Sequence, residues 1–163
     1  MEFSFSEYIN DSVRILILLS VVKDRKSHKM TENKIKLYDF YLKFPCTMLG
    51  SDLMHLDSKW NFDEYYAFFH WQPDLIRYRQ SLNYLIAKGF IDKYIEDNIV
   101  AYRIKDLGME VLNRIDDQYK RKLVNLANDF IPNVIRLPDS KIEQFIRDKS
   151  NIYLRMGGVR YEG

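Results

Sequence analysis

A helix that opens at a proline, closes at a glycine and runs straight into a tight hairpin restricts the fold of this chain more than any other feature. Pro73 suits the first turn of a helix, where its missing N–H would have had no partner. Leu75, Tyr78, Leu82, Leu85 and Ile86 then recur at helical spacing, so Pro73–Lys88 carries one core-facing stripe. Gly89 can adopt the left-handed conformation that ends such a helix. Two short runs follow, Phe90–Ile95 and Ile99–Ile104, joined through Asp97-Asn98, residues that tolerate positive φ in a tight hairpin. Val100, Tyr102 and Ile104 alternate as a half-buried strand should.

The flanking segments predict helices. Ser4 and Glu7 have capping-box spacing, with Phe3 and Tyr8 placed as a hydrophobic staple. Ile9, Val13, Leu16, Ile17 and Val21 then form a stripe, ended by the charged loop Lys23–Lys29. Thr31 is a candidate N-cap for a second helix. Ile35, Tyr38 and Leu42, with Leu37, Phe40 and Phe44 beside them, make that helix apolar on both sides and suited to lie between two layers. Pro45 stops it. Asp106 is placed to cap a helix that points Leu107, Val111, Leu112 and Ile115 inward. Another, Gln118–Phe130, aligns Tyr119, Leu123, Ala127 and Phe130, with Pro132 ending it. Ser140 and Glu143 form a second capping box, for a short helix holding Ile142, Phe145 and Ile146. The tail 151–163, with Gly157-Gly158, is expected to be loose unless a partner holds it.

The expected fold is therefore mainly α with a small antiparallel β-hairpin. A helix leading into a two-stranded wing and then a further helix is a winged-helix arrangement. Residues 1–150 form a single winged-helix-like domain with an aromatic insert at 46–72 and extra C-terminal helices. The length, 163 residues, supports one domain with a real core. The most apolar run, Val13–Val22, contains Arg14 and falls short of the roughly 20 apolar residues needed to span a bilayer. It also lacks a cleavage site for a signal peptide. The one cysteine, Cys46, cannot form an internal disulfide and fits a reducing compartment. A cytoplasmic protein without a membrane association is expected.

No motif carries catalytic chemistry. The three histidines, His28, His55 and His70, have no metal-ligand spacing, and Cys46 has no second thiol beside it. His55-Leu56-Asp57 reads as a polar loop, and His70, between Phe69 and Trp71, as a core or interface residue. Lys88-Gly89 reverses the order of a phosphate-binding loop and lacks its other glycine. Asp63-Glu64, Glu96-Asp97 and Asp116-Asp117 are sequence neighbours, which point apart on a helix. The expectation is a non-enzymatic chain with no metal and no cofactor.

Two surfaces remain. On a DNA-reading winged helix, the helix before the wing enters the major groove and the wing touches the backbone or minor groove. Candidate DNA contacts here are Arg77, Gln80, Tyr84 and Lys88 on the helix, with Lys93 and Arg103 on the wing. Asp74, Asp92, Glu96 and Asp97 would oppose phosphate, and the net charge is only +2. The second surface is the aromatic segment Trp60–Trp71. Trp60, Phe62, Tyr65, Tyr66, Phe68, Phe69 and Trp71 fall on every face of a helix, so they either bury against the first two helices or meet a partner. Tryptophan and tyrosine concentrate binding energy at interfaces.

Four segments, INDSVRILILLSVV (Ile9–Val22), KLYDFYLKFP (Lys36–Pro45), YRQSLNYLIAKGFID (Tyr78–Asp92) and YRIKDLGMEVL (Tyr102–Leu112), resemble the small middle component of bacterial three-component ATPase systems. That group includes the Lamassu anti-phage and anti-plasmid defence operons. The loop Lys23–Met30 and the aromatic insert depart from the pattern. The resemblance implies an accessory winged-helix subunit of an SMC-like complex. Such a subunit would link an SMC-like ATPase, which senses DNA, to an effector, often a nuclease. A DNA-binding transcription regulator is the alternative.

Overall fold

The computed structural model describes residues 5–50 and 75–159. Seven helices and one two-stranded antiparallel sheet lie among them. In chain order they are α1 (Phe5–Val21), α2 (Glu32–Lys43), α3 (Pro45–Leu49), α4 (Leu75–Ala87), β1 (Ile91–Glu96), β2 (Ile99–Ile104), α5 (Asp106–Arg114), α6 (Gln118–Val134) and α7 (Asp139–Val159). The protein is thus mainly α with a small antiparallel hairpin, as the periodicity predicts. No helix among the described residues is long and apolar enough to cross a membrane.

Helix α1 is the centre of the packing. It touches α2, α4, α5, α6 and β2, and Ile15 through Leu19 are all buried. A single stripe facing one layer does not describe it. From Asp11 onward it is enclosed on most sides, while Ile9, expected in the core, is 45% exposed near the open end. Helix α2 is buried from Leu37 through Leu42, in line with its two apolar sides. Its N-cap Thr31 accepts a hydrogen bond from the Lys34 amide at 3.2 Å. Pro45 ends α2 and then opens α3 at the position where a proline costs nothing.

The α4–hairpin junction is local chemistry. Gly89 has φ +75°, the Phe90 amide donates to the Leu85 carbonyl and the Gly89 amide to Ile86, which together close a Schellman cap. Asp97 and Asn98 have φ 52° and 62°, the two positive values a primed two-residue turn needs. Ile91 pairs with Ile104 and Ile95 with Val100. Tyr102 and Ile104 are buried, but Val100 is 40% exposed, because the strand pair has run past the core by that position. One further bridge joins Met30, just before α2, to Tyr102, whose amide donates to the Met30 carbonyl at 2.9 Å.

The C-terminal helices differ from the expected boundaries. Lys105, not Asp106, is the N-cap of α5, and no side chain caps it. Leu107 is 46% exposed; the inward positions are Gly108 and Leu112, with Met109 partly covered. Asp117 caps α6 by accepting from the Lys120 amide at 2.7 Å. Pro132 lies inside α6 instead of ending it: the one hydrogen bond lost falls in the last turn, where Ile131 and Val134 are buried on the core side. Tyr119 is 47% exposed. Helix α7 starts at Asp139, so Ser140 stands inside the first turn and not before it. The Asp139 carboxylate instead accepts from Asn33 Nδ2 at 2.8 Å and pairs with Lys34 Nζ at 2.5 Å, tying α7 to α2. The helix continues through Val159.

Two predictions follow from packing. A Cβ on Gly108 would stand 2.2 Å from the Phe90 carbonyl oxygen and 2.9 Å from Ile104, where α5 crosses the start of the hairpin. Gly108→Ala therefore destabilises by about 1–3 kcal/mol in spite of alanine's better helix propensity, read from denaturant unfolding. His28 stacks on buried Tyr38, with ring centroids 6.2 Å apart and Nε2 3.4 Å from the phenol oxygen. Burial, then Lys34 and Arg25, holds the imidazole below its ordinary value of 6.5, against the pull of Asp139. The unfolded chain thus binds this proton at higher pH than the folded one. Stability falls as pH drops through about 6.5, and His28→Phe removes that part of the slope in melts taken across the range.

Candidate functional site

The charge in the most apolar run has a purpose in the packing. A buried guanidinium is costly unless it is paired and hydrogen-bonded. Arg14 donates from Nε to Asp39 Oδ1 at 2.7 Å and from Nη2 to Asp11 Oδ1 and, at 3.4 Å, to Asp39 Oδ2. The Tyr78 hydroxyl donates to Asp39 Oδ2, and Arg77 Nε donates to Asp11 Oδ2. Arg77 Nη1 also lies 3.9 Å from Glu7. Asp11, Arg14, Asp39 and Tyr78 are all buried. One network therefore joins α1, α2 and α4. Burial opposes the Arg14 charge, but the Asp39 and Asp11 carboxylates outweigh it and hold the group above the ordinary arginine range. Burial, then the Asp39 carboxylate, keeps the Tyr78 phenol well above its usual value and so protonated as the donor.

This network relocates the first candidate DNA contact. Arg77 points back onto α1 and is not displayed with the outer face of α4. That face presents Gln80, Asn83, Tyr84, Ala87 and Lys88. Tyr84 packs edge-on against Tyr8, with centroids 6.0 Å apart, and Lys88 Nζ sits 5.8 Å from the Tyr84 centroid. Arg79 Nε is 3.3 Å from Glu32. The helix before the hairpin thus shows Arg79, Lys88, two amide side chains and Tyr84 to solvent, with Leu75 and Ile76 exposed at its start.

The hairpin repeats the pattern. Arg103 pairs with Asp92 across the strands at 2.9 Å and lies over the Tyr94 ring at 4.7 Å. Lys93 is exposed. At the tip, Lys29 from the α1–α2 loop bonds Asp97 at 2.7 Å and lies 3.9 Å from Glu96. That hydrogen bond lowers the Asp97 pKa and raises that of Lys29. Beside this tip stand Ile95, 71% exposed, and its cross-strand partner Val100, with Ile99 also exposed. Phosphate has little to hold there, whereas an apolar partner surface has.

Trp60, Phe62, Tyr65, Tyr66, Phe68, Phe69 and Trp71 lie outside the described residues, as do His55, Asp57, Asp63, Glu64, His70 and Asp74. Among the described residues no group of three or more His, Cys, Asp or Glu side chains could hold a metal ion. Cys46 is buried. The feature that sequence reasoning missed is the charge network. Its trace is visible afterwards: Arg14 interrupts the apolar run of α1, and Asp39 stands among the apolar positions of α2.

Removing one member of the network leaves the others buried and unpaired. Asp39→Ala should cost about 3–5 kcal/mol in denaturant unfolding. Asp92→Ala, which breaks only the exposed pair with Arg103, should cost at most about 1 kcal/mol. Equal costs would mean that the network is no more buried than the surface pair.

The family model described as ABC-three component (ABC-3C) system Middle Component 2 matches residues 4–155. No curated protein and no solved structure is significantly similar to the chain.

Proposed function

The chain belongs to the Middle Component 2 family of ABC-three component systems, so it is one component of a multi-component system with protein partners, and from that premise we propose that it is a non-catalytic adaptor subunit. In this reading it links an SMC-like ATPase to an effector, such as a nuclease, in a cytoplasmic defence complex of the Lamassu kind directed against phage or plasmids. Its core is a winged helix. The bridge from Met30, in the loop between α1 and α2, to Tyr102 supports that assignment, because it gives β2 a second neighbour beside β1.

One observation carries the adaptor reading. The helix and hairpin that would face DNA have their arginines paired with carboxylates, Arg77 with Asp11, Arg79 with Glu32 and Arg103 with Asp92, while Ile95, Ile99 and Val100 are left exposed at the tip. Binding to phosphate would need the opposite distribution. The aromatic residues Trp60–Trp71 add a second candidate partner surface in the same chain. Gln80 and Asn83 keep the regulator alternative chemically open, since side-chain amides can pair with adenine.

The test is co-expression with the ATPase and effector components of its system, followed by size-exclusion chromatography. A co-eluting complex is expected. Ile95→Asp should weaken it at least tenfold while leaving the melting temperature unchanged, because Ile95 is exposed. A chain that elutes free of both partners, or an Ile95→Asp variant that assembles normally, contradicts the proposal. Sequence-specific DNA binding that depends on Gln80 and Lys93 would favour the regulator.

A further inference from the structure

The hairpin has two outer edges, and they are not alike. Along β2 the Tyr102 amide donates outward to the Met30 carbonyl at 2.9 Å, so Met30 occupies that edge. Along β1 the register fixes which groups face out. Ile91 pairs with Ile104, and the Lys105 amide donates to the Phe90 carbonyl at 2.9 Å. In an antiparallel ladder, bonded and non-bonded pairs alternate. Asp92, Tyr94 and Glu96 therefore turn their N–H and C=O groups to β2, while Ile91, Lys93 and Ile95 turn theirs away from it. Among the described residues nothing pairs with those outward groups. An unpaired edge of this kind is a template for another strand.

The side chains along the edge decide what can pair there. On the face shared by Ile91, Lys93 and Ile95 the cross-strand partners are Ile104, Tyr102 and Val100. Lys93 is thus an exposed cation amid apolar neighbours, and no carboxylate among the described residues is paired with it. Two residues on, Ile95 is 71% exposed. A second copy of the chain fits this edge badly. Antiparallel pairing of β1 with itself about a two-fold axis must centre on one residue, because opposite residues share a face. Centred on Asp92 or Lys93, it sets like charges directly opposite; centred on Tyr94, it sets Asp92 against Glu96 twice. Centred on Ile91 or Ile95, it runs off the strand, into Gly89 or into the Asp97-Asn98 turn, all at positive φ. The edge is closed to antiparallel pairing with its own copy and open to a strand of complementary charge.

We propose that this edge takes an extended segment of a partner component, which adds a strand beside β1 and sets an acidic side chain opposite Lys93 and an apolar one opposite Ile95. This rests on the adaptor role proposed above and goes beyond it. Contact with the exposed tip needs only side chains, whereas strand addition engages the outward backbone of Lys93 and Ile95. Main-chain bonds supply affinity in such a complex, and alternate side chains supply specificity.

The test is residue-resolved amide exchange on the full chain, free and in the complex purified with the ATPase and effector components of its system. Strand addition should slow the Lys93 and Ile95 amides about tenfold or more and leave those of Asp92 and Tyr94, already bonded to β2, unchanged. Lys93→Pro removes only an outward N–H, which an edge strand tolerates, and should weaken assembly about tenfold. Lys93→Thr keeps that N–H, loses the charge and should weaken assembly about fivefold or less. A complex that forms without the alternating protection, or a folded Lys93→Pro variant that assembles normally, overturns strand addition and leaves the adaptor role standing. Where no complex forms, the adaptor role fails, and a capped peptide of alternating valine and threonine with a central glutamate, titrated into the full chain at low salt, decides the edge by itself. Slowing of the same two amides by this peptide, and not by its lysine counterpart, upholds strand addition; any other result overturns it as well.

Discussion

The arrangement of this protein depends on one buried guanidinium. Arg14 sits in the central helix with almost no contact to water, and an unpaired charge there would cost several kcal/mol. Asp11 and Asp39 offset that cost, and in doing so they specify where α2 and α4 must lie. Asp39 is buried on α2 and also takes the Tyr78 hydroxyl from α4, while Asp11 takes Arg77. Apolar contacts alone would tolerate small slides between these helices. A network that must satisfy each group at hydrogen-bond distance does not.

The same network shapes the outer surface of α4. It draws Arg77 inward and leaves the outer face of α4 nearly neutral. Lys29 and Asp92 act in parallel on the hairpin, pairing with Asp97 and Arg103. Beside Lys88, Lys93 and the paired Arg79 and Arg103, what remains exposed is amide, tyrosine and branched aliphatic. That composition suits contact with protein, in keeping with membership of a multi-component family.

Local signals were legible in the sequence. Gly89, the Asp97-Asn98 turn and Thr31 each act through backbone geometry within a few residues, so spacing alone identifies them. Helix ends set by tertiary contact were not. Pro132 looks like a stop, yet burial of Ile131 and Val134 carries α6 past it. Ser140 looks like a cap, yet Asp139 opens α7 and pairs with α2. The charge network joins positions 25, 39 and 66 residues apart, and no periodicity announces such partners. Only the misplaced look of Arg14 and Asp39 in apolar helices hinted at it.

The most direct test of the account is hydrogen exchange on the chain alone, in the assembled complex and with duplex DNA. The account predicts that assembly protects the hairpin tip, from Ile95 to Val100, and the outer face of α4, while DNA alone leaves both unchanged. Protection of those amides by DNA, with none on assembly, would contradict it.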